Sequence, residues 1–124
     1  MSPLAWVAFV GAAAVGAPLR YVVDGVLSDR AAADFPWGTF VINVTGSFAL
    51  GLLTGLALYH GFPKTWRVIL GTGFLGAYTT FSTFSFETVR LLEDGEIGPA
   101  LRNAVGTLVV GAAAAGVGLA LAAV

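Results

Sequence analysis

Charged residues fall in three short zones of the chain, and long apolar runs separate them. The first zone holds Arg20, Asp24, Asp29, Arg30 and Asp34, the second Lys64 and Arg67, and the third Glu87, Arg90, Glu93, Asp94, Glu96 and Arg102. Around and between them run uncharged stretches at 1–19, 35–63, 68–86 and 103–124, of 19, 29, 19 and 22 residues. A helix needs about 20 mostly apolar residues to cross a bilayer. The pattern therefore predicts an all-α integral membrane protein, a single membrane domain over 1–124 with helices at about 3–26, 37–60, 66–91 and 100–123. The connections, about 27–36, 61–65 and 92–99, are short, and Phe62-Pro63, Asp94-Gly95 and Gly98-Pro99 read as turn punctuation. Four crossings put both termini on one side. The first run begins Met1-Ser2-Pro3-Leu4. It has no positive flank, so it is expected to be a retained helix rather than a cleaved signal peptide.

Composition narrows the class. Hydrophobic residues make up 57% of the 124 and charged residues 10%, with a mean hydropathy of +0.88. Soluble domains carry about 25% charged residues, so a soluble monomer is excluded, and a disordered chain is excluded by the same balance. The absence of cysteine removes disulfides, thiolate metal sites and a cysteine nucleophile. A net charge of −1 leaves no basic footprint for nucleic acid. The lone histidine, His60, sits beside Gly61 at a helix end and reads as interfacial. Nothing supports an enzyme.

Charge placement bears on orientation, which Lys and Arg near helix ends decide. Lys64 and Arg67 lie on one side, and Arg30, Arg90 and Arg102 on the other, with Arg20 near its helix end. This near-balance favours dual topology, in which the chain inserts both ways and pairs with an inverted copy; the alternative is a single topology with a weak orientation signal. Helix packing in lipid relies on small residues that let backbones approach closely. Three helices carry such a seam at spacing four: Ala8, Ala12 and Gly16; Ser47, Gly51 and Gly55; Thr107, Gly111 and Ala115. Spacing alone leaves open whether these seams pack within or between protomers.

Polar groups at membrane depth are costly unless paired or hydrated, which makes them functional markers. Thr39, Asn43 and Ser47 follow at i, i+4 and i+8 on one face of the second helix. That face serves either helix-to-helix hydrogen bonding or a polar path. In the third helix, Gly71, Gly73 and Gly76 precede Thr79 and Thr80, and hydroxyls then alternate with Phe81, Phe84 and Phe86. Glycine and threonine are poor helix formers. A break is expected at this junction near the bilayer centre, with a cation site of main-chain oxygens from Gly76 and Thr79. Phe81 and Phe84 share a face with Ser82 nearby. Phenyl edges are positively polarised, so with donors from Asn43 and Ser47 they suit a small anion. The alternative is that these rings are lipid-facing or core aromatics.

The motifs resemble the CrcB/Fluc family of microbial fluoride channels. The matching elements are Gly16-x-x-x-Arg20-Tyr21, Gly38-Thr39-x-x-x-Asn43-x-x-Gly46-Ser47-Phe48 and Gly76-x-x-Thr79-Thr80-Phe81-Ser82-Thr83-Phe84. The resemblance implies a fluoride-selective passive channel that exports cytoplasmic fluoride, built as an antiparallel homodimer in the cell inner membrane. It also implies a structural sodium ion, Na+, at the dimer interface, held by the Gly76 and Thr79 carbonyls. Phe81 and Phe84 become the rings that meet fluoride and Asn43 the pore amide, with Thr39 in a vestibule. Arg20 and Glu87 match residues near the pore mouth. Ala77 stands where a glycine often follows Gly76, which leaves a carbonyl ligand unaffected. The fourth helix offers Asn103 and Thr107 and then Gly111, so no extended polar track is expected there. Three rival readings are open, and a non-transporting assembly subunit is disfavoured by the polar track at membrane depth. A small dual-topology cation exporter needs a membrane-embedded carboxylate, which the four uncharged stretches lack. A proton-coupled fluoride carrier would draw on Glu87. No Walker-type phosphate loop is present, which excludes primary active transport by this chain alone.

Overall fold

The computed structural model of the chain describes residues 1–30 and 35–124, the side chains of Asp29 and Arg30 excepted. Residues 31–34 of the expected 27–36 connection, Asp34 among them, lie outside the described residues. Regular structure among the described residues is entirely helical. Helix α1 runs Pro3–Arg30, α2 Trp37–His60, α3 Lys64–Arg67, α4 Gly76–Tyr78, α5 Ser82–Glu93 and α6 Ile97–Ala122, and a π-helical stretch, Val68–Leu75, joins α3 to α4. Three segments, Pro3–Ser28, Trp37–His60 and Ile97–Ala122, are long and apolar enough to cross a membrane. The hydrophobic stretch between α2 and α6 is divided instead. It is helical through Tyr78, non-helical at Thr79 and Thr80, and helical again from Ser82.

Helix ends follow local chemistry. Gly61 takes a left-handed φ of 64° after α2, and Phe62 N–H returns to Leu56 O at 3.1 Å. The Gly61 N–H reaches the same Leu56 O, so one carbonyl takes both turn amides and closes the helix at a left-handed glycine, and Pro63 then prevents its continuation. The first helix extends past the expected end at 26 to Arg30. The Gly98-Pro99 pair, expected in a turn, lies in the first turn of α6. Proline is tolerated there because a first-turn N–H has no intrahelical acceptor. The turn itself falls one step earlier, at Gly95, whose φ is 77°.

The most extensive helix pairing is α2 against α6. A Cβ added at Gly51 would collide with the Ala115 carbonyl, and one at Gly118 with the Phe48 carbonyl. Towards one end Gly111 faces Ser47, and towards the other Gly55 faces Leu119 and Ala122. Residue numbers rise together along both helices, so α2 and α6 run parallel. The small-residue seams of these two helices therefore pack against each other within one chain. Gly16, from the α1 seam, meets the π-helical stretch instead, where an added Cβ would lie 2.5 Å from Phe74 O. His60 Nε2 lies 2.7 Å from Ala122 O and ties the ends of α2 and α6 together.

The seam yields a direct prediction. Gly51→Val should destabilise the folded protein by at least about 1–3 kcal/mol, the usual cost of overpacking. Gly116→Ala, at a position with no atom within 4 Å of an added Cβ, should leave stability unchanged or slightly raised. Thermal unfolding in detergent distinguishes the two.

Candidate functional site

The interruption between α4 and α5 is stabilised by side chains. Leu75 O accepts the Thr79 N–H at 2.9 Å, the last regular helical bond. Thr79 then turns extended, with ψ of 163°. At the next residue a single side chain takes both backbone groups. Asn43 Nδ2 donates to Thr80 O at 2.8 Å, and Asn43 Oδ1 accepts the Thr80 N–H at 2.9 Å. The hydroxyl of Thr80 accepts the Thr83 N–H at 3.1 Å and so caps the start of α5.

These diversions affect two particular carbonyls. In an unbroken helix Gly76 O would accept the Thr80 N–H, and Thr79 O would accept the Thr83 N–H. Asn43 takes the first of those donors and Thr80 Oγ1 the second. The oxygens singled out in the sequence as cation ligands have thus lost their i+4 helical donors. Among the described residues no group of three or more His, Cys, Asp or Glu side chains is placed to hold a metal.

A cleft of about 560 Å³ opens beside the break. Asn43, Ser47, Gly76, Thr79, Phe81 and Phe84 all line it, together with Thr107 of α6, and none of its lining residues is charged. The Phe81 and Phe84 rings lie 6.0 Å apart at 43°. Phe81 is 79% exposed. Ser82 is exposed, and its hydroxyl lies 3.4 Å from that of Thr80.

A smaller cavity of about 220 Å³, lined by Arg20, Asp24, Thr39, Thr80 and Thr83, also touches the break. Thr80 lines both spaces. Thr39, almost fully buried, donates its hydroxyl to Glu87 Oε1 at 2.5 Å. The α2 face of Thr39, Asn43 and Ser47 thus meets, in order, α5, the break and the larger cleft. Arg20 and Glu87 lie at the smaller cavity or one hydrogen bond from it.

Other polar contacts were not anticipated from the sequence. Asn103 of α6 is completely buried and donates to Thr88 Oγ1 at 2.8 Å. That bond ties α6 to α5, the helix that carries Phe84, and within α5 Thr88 donates to Phe84 O at 2.8 Å. Thr107 Oγ1 reaches Asn103 Oδ1 at 3.4 Å. The Thr45 and Tyr78 hydroxyls lie 3.0 Å apart. The available signal was a hydroxyl or amide in an apolar helix, which marks a buried partner without naming it.

Relatives supply an independent line. Residues 5–119 match the family described as CrcB-like protein, Camphor Resistance (CrcB). The chain belongs to the CrcB family. A CrcB-family relative from Leifsonia xyli subsp. xyli, named Fluoride-specific ion channel FluC 1, is 55% identical over 96% of this chain and 87% of its own length. One of the same name from Streptomyces avermitilis is 49% identical over 92% of each chain. Fluoride-specific ion channel FluC 2 of Mycobacterium tuberculosis is 46% identical over 89% of this chain and 84% of its own.

The two-sided Asn43 bond can be tested without a transport assay. Asn43→Ala leaves both Thr80 groups without that partner, a loss of about 1–3 kcal/mol for a buried polar group. Amide exchange at Thr80 should then accelerate by about 10- to 100-fold, since each 1.4 kcal/mol is tenfold, while exchange in α2 and α6 stays unchanged.

Proposed function

We propose that this chain is a fluoride-selective passive channel that exports cytoplasmic fluoride and so confers fluoride resistance. The observation that carries the proposal is the set of relatives named fluoride-specific ion channels, up to 55% identical over nearly the whole chain. The site's geometry supplies the physical rationale. Fluoride is small and strongly hydrated, so a path must replace its lost water shell with donors. The uncharged cleft offers the Ser47 hydroxyl, the second hydrogen of the Asn43 amide and two phenyl rings, while the Thr79 and Thr107 hydroxyls donate within the protein, to Leu75 O and Asn103 Oδ1. Ser82 and Thr39 extend the polar lining to the break's exposed rim and to the smaller cavity. Dipolar donors and ring edges bind an anion less tightly than a fixed cation would, which suits conduction, where an ion must leave as readily as it enters.

In this proposal α3, the π-helical stretch, α4 and α5 together make the third of four crossings, broken near the bilayer centre. Irregular backbone at that depth is tolerated only where protein buries it or a cavity hydrates it. The Asn43 bonds and the two cavities meet that requirement. The working unit is an antiparallel homodimer of inverted protomers in the inner membrane. The exposure of Phe81 and the open cleft beside it support a partner at that face, as does the near-balance of basic residues on the two sides. The Gly76 and Thr79 carbonyls, two from each protomer, would hold a sodium ion at the dimer interface. Hard main-chain oxygens freed from helical bonding are suitable donors for it. The bound ion supplies positive charge that holds the two breaks together; the chain's own groups carry the anion.

Export then needs no energy input beyond the membrane potential. Hydrogen fluoride crosses lipid as a neutral acid and dissociates inside. A potential negative inside drives the anion outward with about 2.3 kcal/mol per 100 mV. Arg20, beside Asp24 at the smaller cavity, is the basic residue at the proposed pore mouth.

Liposomes loaded with fluoride test the proposal. With potassium inside and valinomycin present, fluoride efflux should be fast, and chloride efflux should be far slower. Phe81→Ile and Phe84→Ile should each slow fluoride efflux more than tenfold, a barrier increase above about 1.4 kcal/mol, without dissociating the dimer. Efflux that requires a proton gradient would overturn the passive mechanism and assign Glu87 to a coupled carrier.

A further inference from the structure

The break lies across α2 at three consecutive residues, and Asn43 accounts for only one of them. Thr80 is held by Asn43. Thr79 rests against Gly46, where an added Cβ would collide with its Cγ2. Tyr78 meets Thr45, with the two hydroxyls 3.0 Å apart. Helical steps of about 100° put Gly46 between Asn43 and Thr45 around α2. The broken segment therefore crosses α2 over a glycine, with one polar anchor on each flank.

The hydroxyl pair has a defined direction. Thr45 has one hydroxyl hydrogen, and Val41 O lies 2.7 Å away to accept it. Tyr78 must then donate, which gives a chain from the Tyr78 phenol to Thr45 Oγ1 to Val41 O. The Tyr78 ring is buried and stacks on Phe74, at 6° and 6.1 Å between centroids. Its hydroxyl position is fixed from the ring side as well.

Helix α4 comprises only Gly76, Ala77 and Tyr78. They are the last turn of a helix that is continuous from Lys64 through the π-helical stretch, and Gly76 O and Thr79 O at its end have lost their i+4 donors to Asn43 and Thr80 Oγ1. The direction of the Gly76 and Thr79 carbonyls thus depends on anchors outside the segment. We propose that the Tyr78–Thr45 hydroxyl pair is a positioning pair that, with Asn43, sets those two carbonyls toward a shared cation. This rests on the sodium reading above. Neither residue touches the ion; both act through the backbone between them.

The full-length dimer in detergent tests the pair by sodium titration of its thermal midpoint, with N-methylglucamine replacing sodium. Tyr78→Phe removes one oxygen and keeps the stacked ring; Thr45→Val removes the hydroxyl at near-constant volume. Each should raise the sodium concentration for half-maximal stabilisation about fivefold, as expected for one hydrogen bond. The double variant should add nothing further, and Thr45→Ser, which restores the hydroxyl, should behave as wild type. Amide exchange at Thr79 and Thr80 should accelerate in the same two single variants. Unchanged sodium response and unchanged exchange in Tyr78→Phe would overturn the pair. A wild-type midpoint indifferent to sodium would overturn the cation reading, and with it the role of the pair toward an ion. Exchange would then report only whether the pair anchors the break.

Discussion

In hydrocarbon, water cannot take up a backbone N–H or C=O that leaves its helix. At Thr80 both groups leave, and the Asn43 side chain takes both of them. An amide is suited to this because it presents one acceptor and two donors on a rigid plane. An aspartate could not donate when ionised, and a leucine could do neither. Once this bond is made, the consequences propagate in both directions along the chain. Thr80 Oγ1 is placed to cap α5, Gly76 O and Thr79 O are released from helical bonding, and Phe81 is turned outward at the mouth of an uncharged cleft.

Asn43 must itself be held at the right height, and the parallel pairing of α2 with α6 provides this. The glycines at 51 and 118 let the two backbones approach until side chains are excluded. With no hydrophobic drive between helices in lipid, such close contact is the main source of cohesion. The same pairing carries Asn103 and Thr107 to the site. Asn103 reaches α5 through Thr88, so α6 fixes the register of the helix that bears Phe84. Helix α2 therefore anchors the broken segment at the interruption, and α6 anchors it after the interruption.

Much of this arrangement is legible in the sequence, for a specific reason. In a membrane protein, charge positions delimit the apolar runs, and the bounds expected for the second helix agree with α2, Trp37–His60. The i, i+4 spacing of Thr39, Asn43 and Ser47 correctly places them on one face. What was not legible is what each polar group touches. Spacing marked Asn43 as polar and deep, but its partner lies 37 residues away in the backbone of Thr80. Spacing also cannot tell an α-helix from the π-helical stretch at Val68–Leu75, since both bury apolar residues at similar intervals. The α2 and α6 seams were visible as patterns, and only the three-dimensional pairing assigns them to one protomer. The first helix ran longer than expected because Asp and Arg near a helix end do not stop it; they only mark where it leaves the apolar layer.

Passive, fluoride-selective conduction along the proposed path, whose cleft is lined by no charged side chain, fixes what the reversal potential must be. Purified protein in a planar bilayer, with unequal fluoride on the two sides and equal chloride, should give a current that reverses at the fluoride equilibrium potential. For a single charge that is about 59 mV per tenfold gradient. Imposing a pH gradient at constant fluoride should leave the reversal potential where it was. A reversal potential that moves with the pH gradient, or that stays at zero as equal chloride dictates, would rule out passive fluoride-selective conduction.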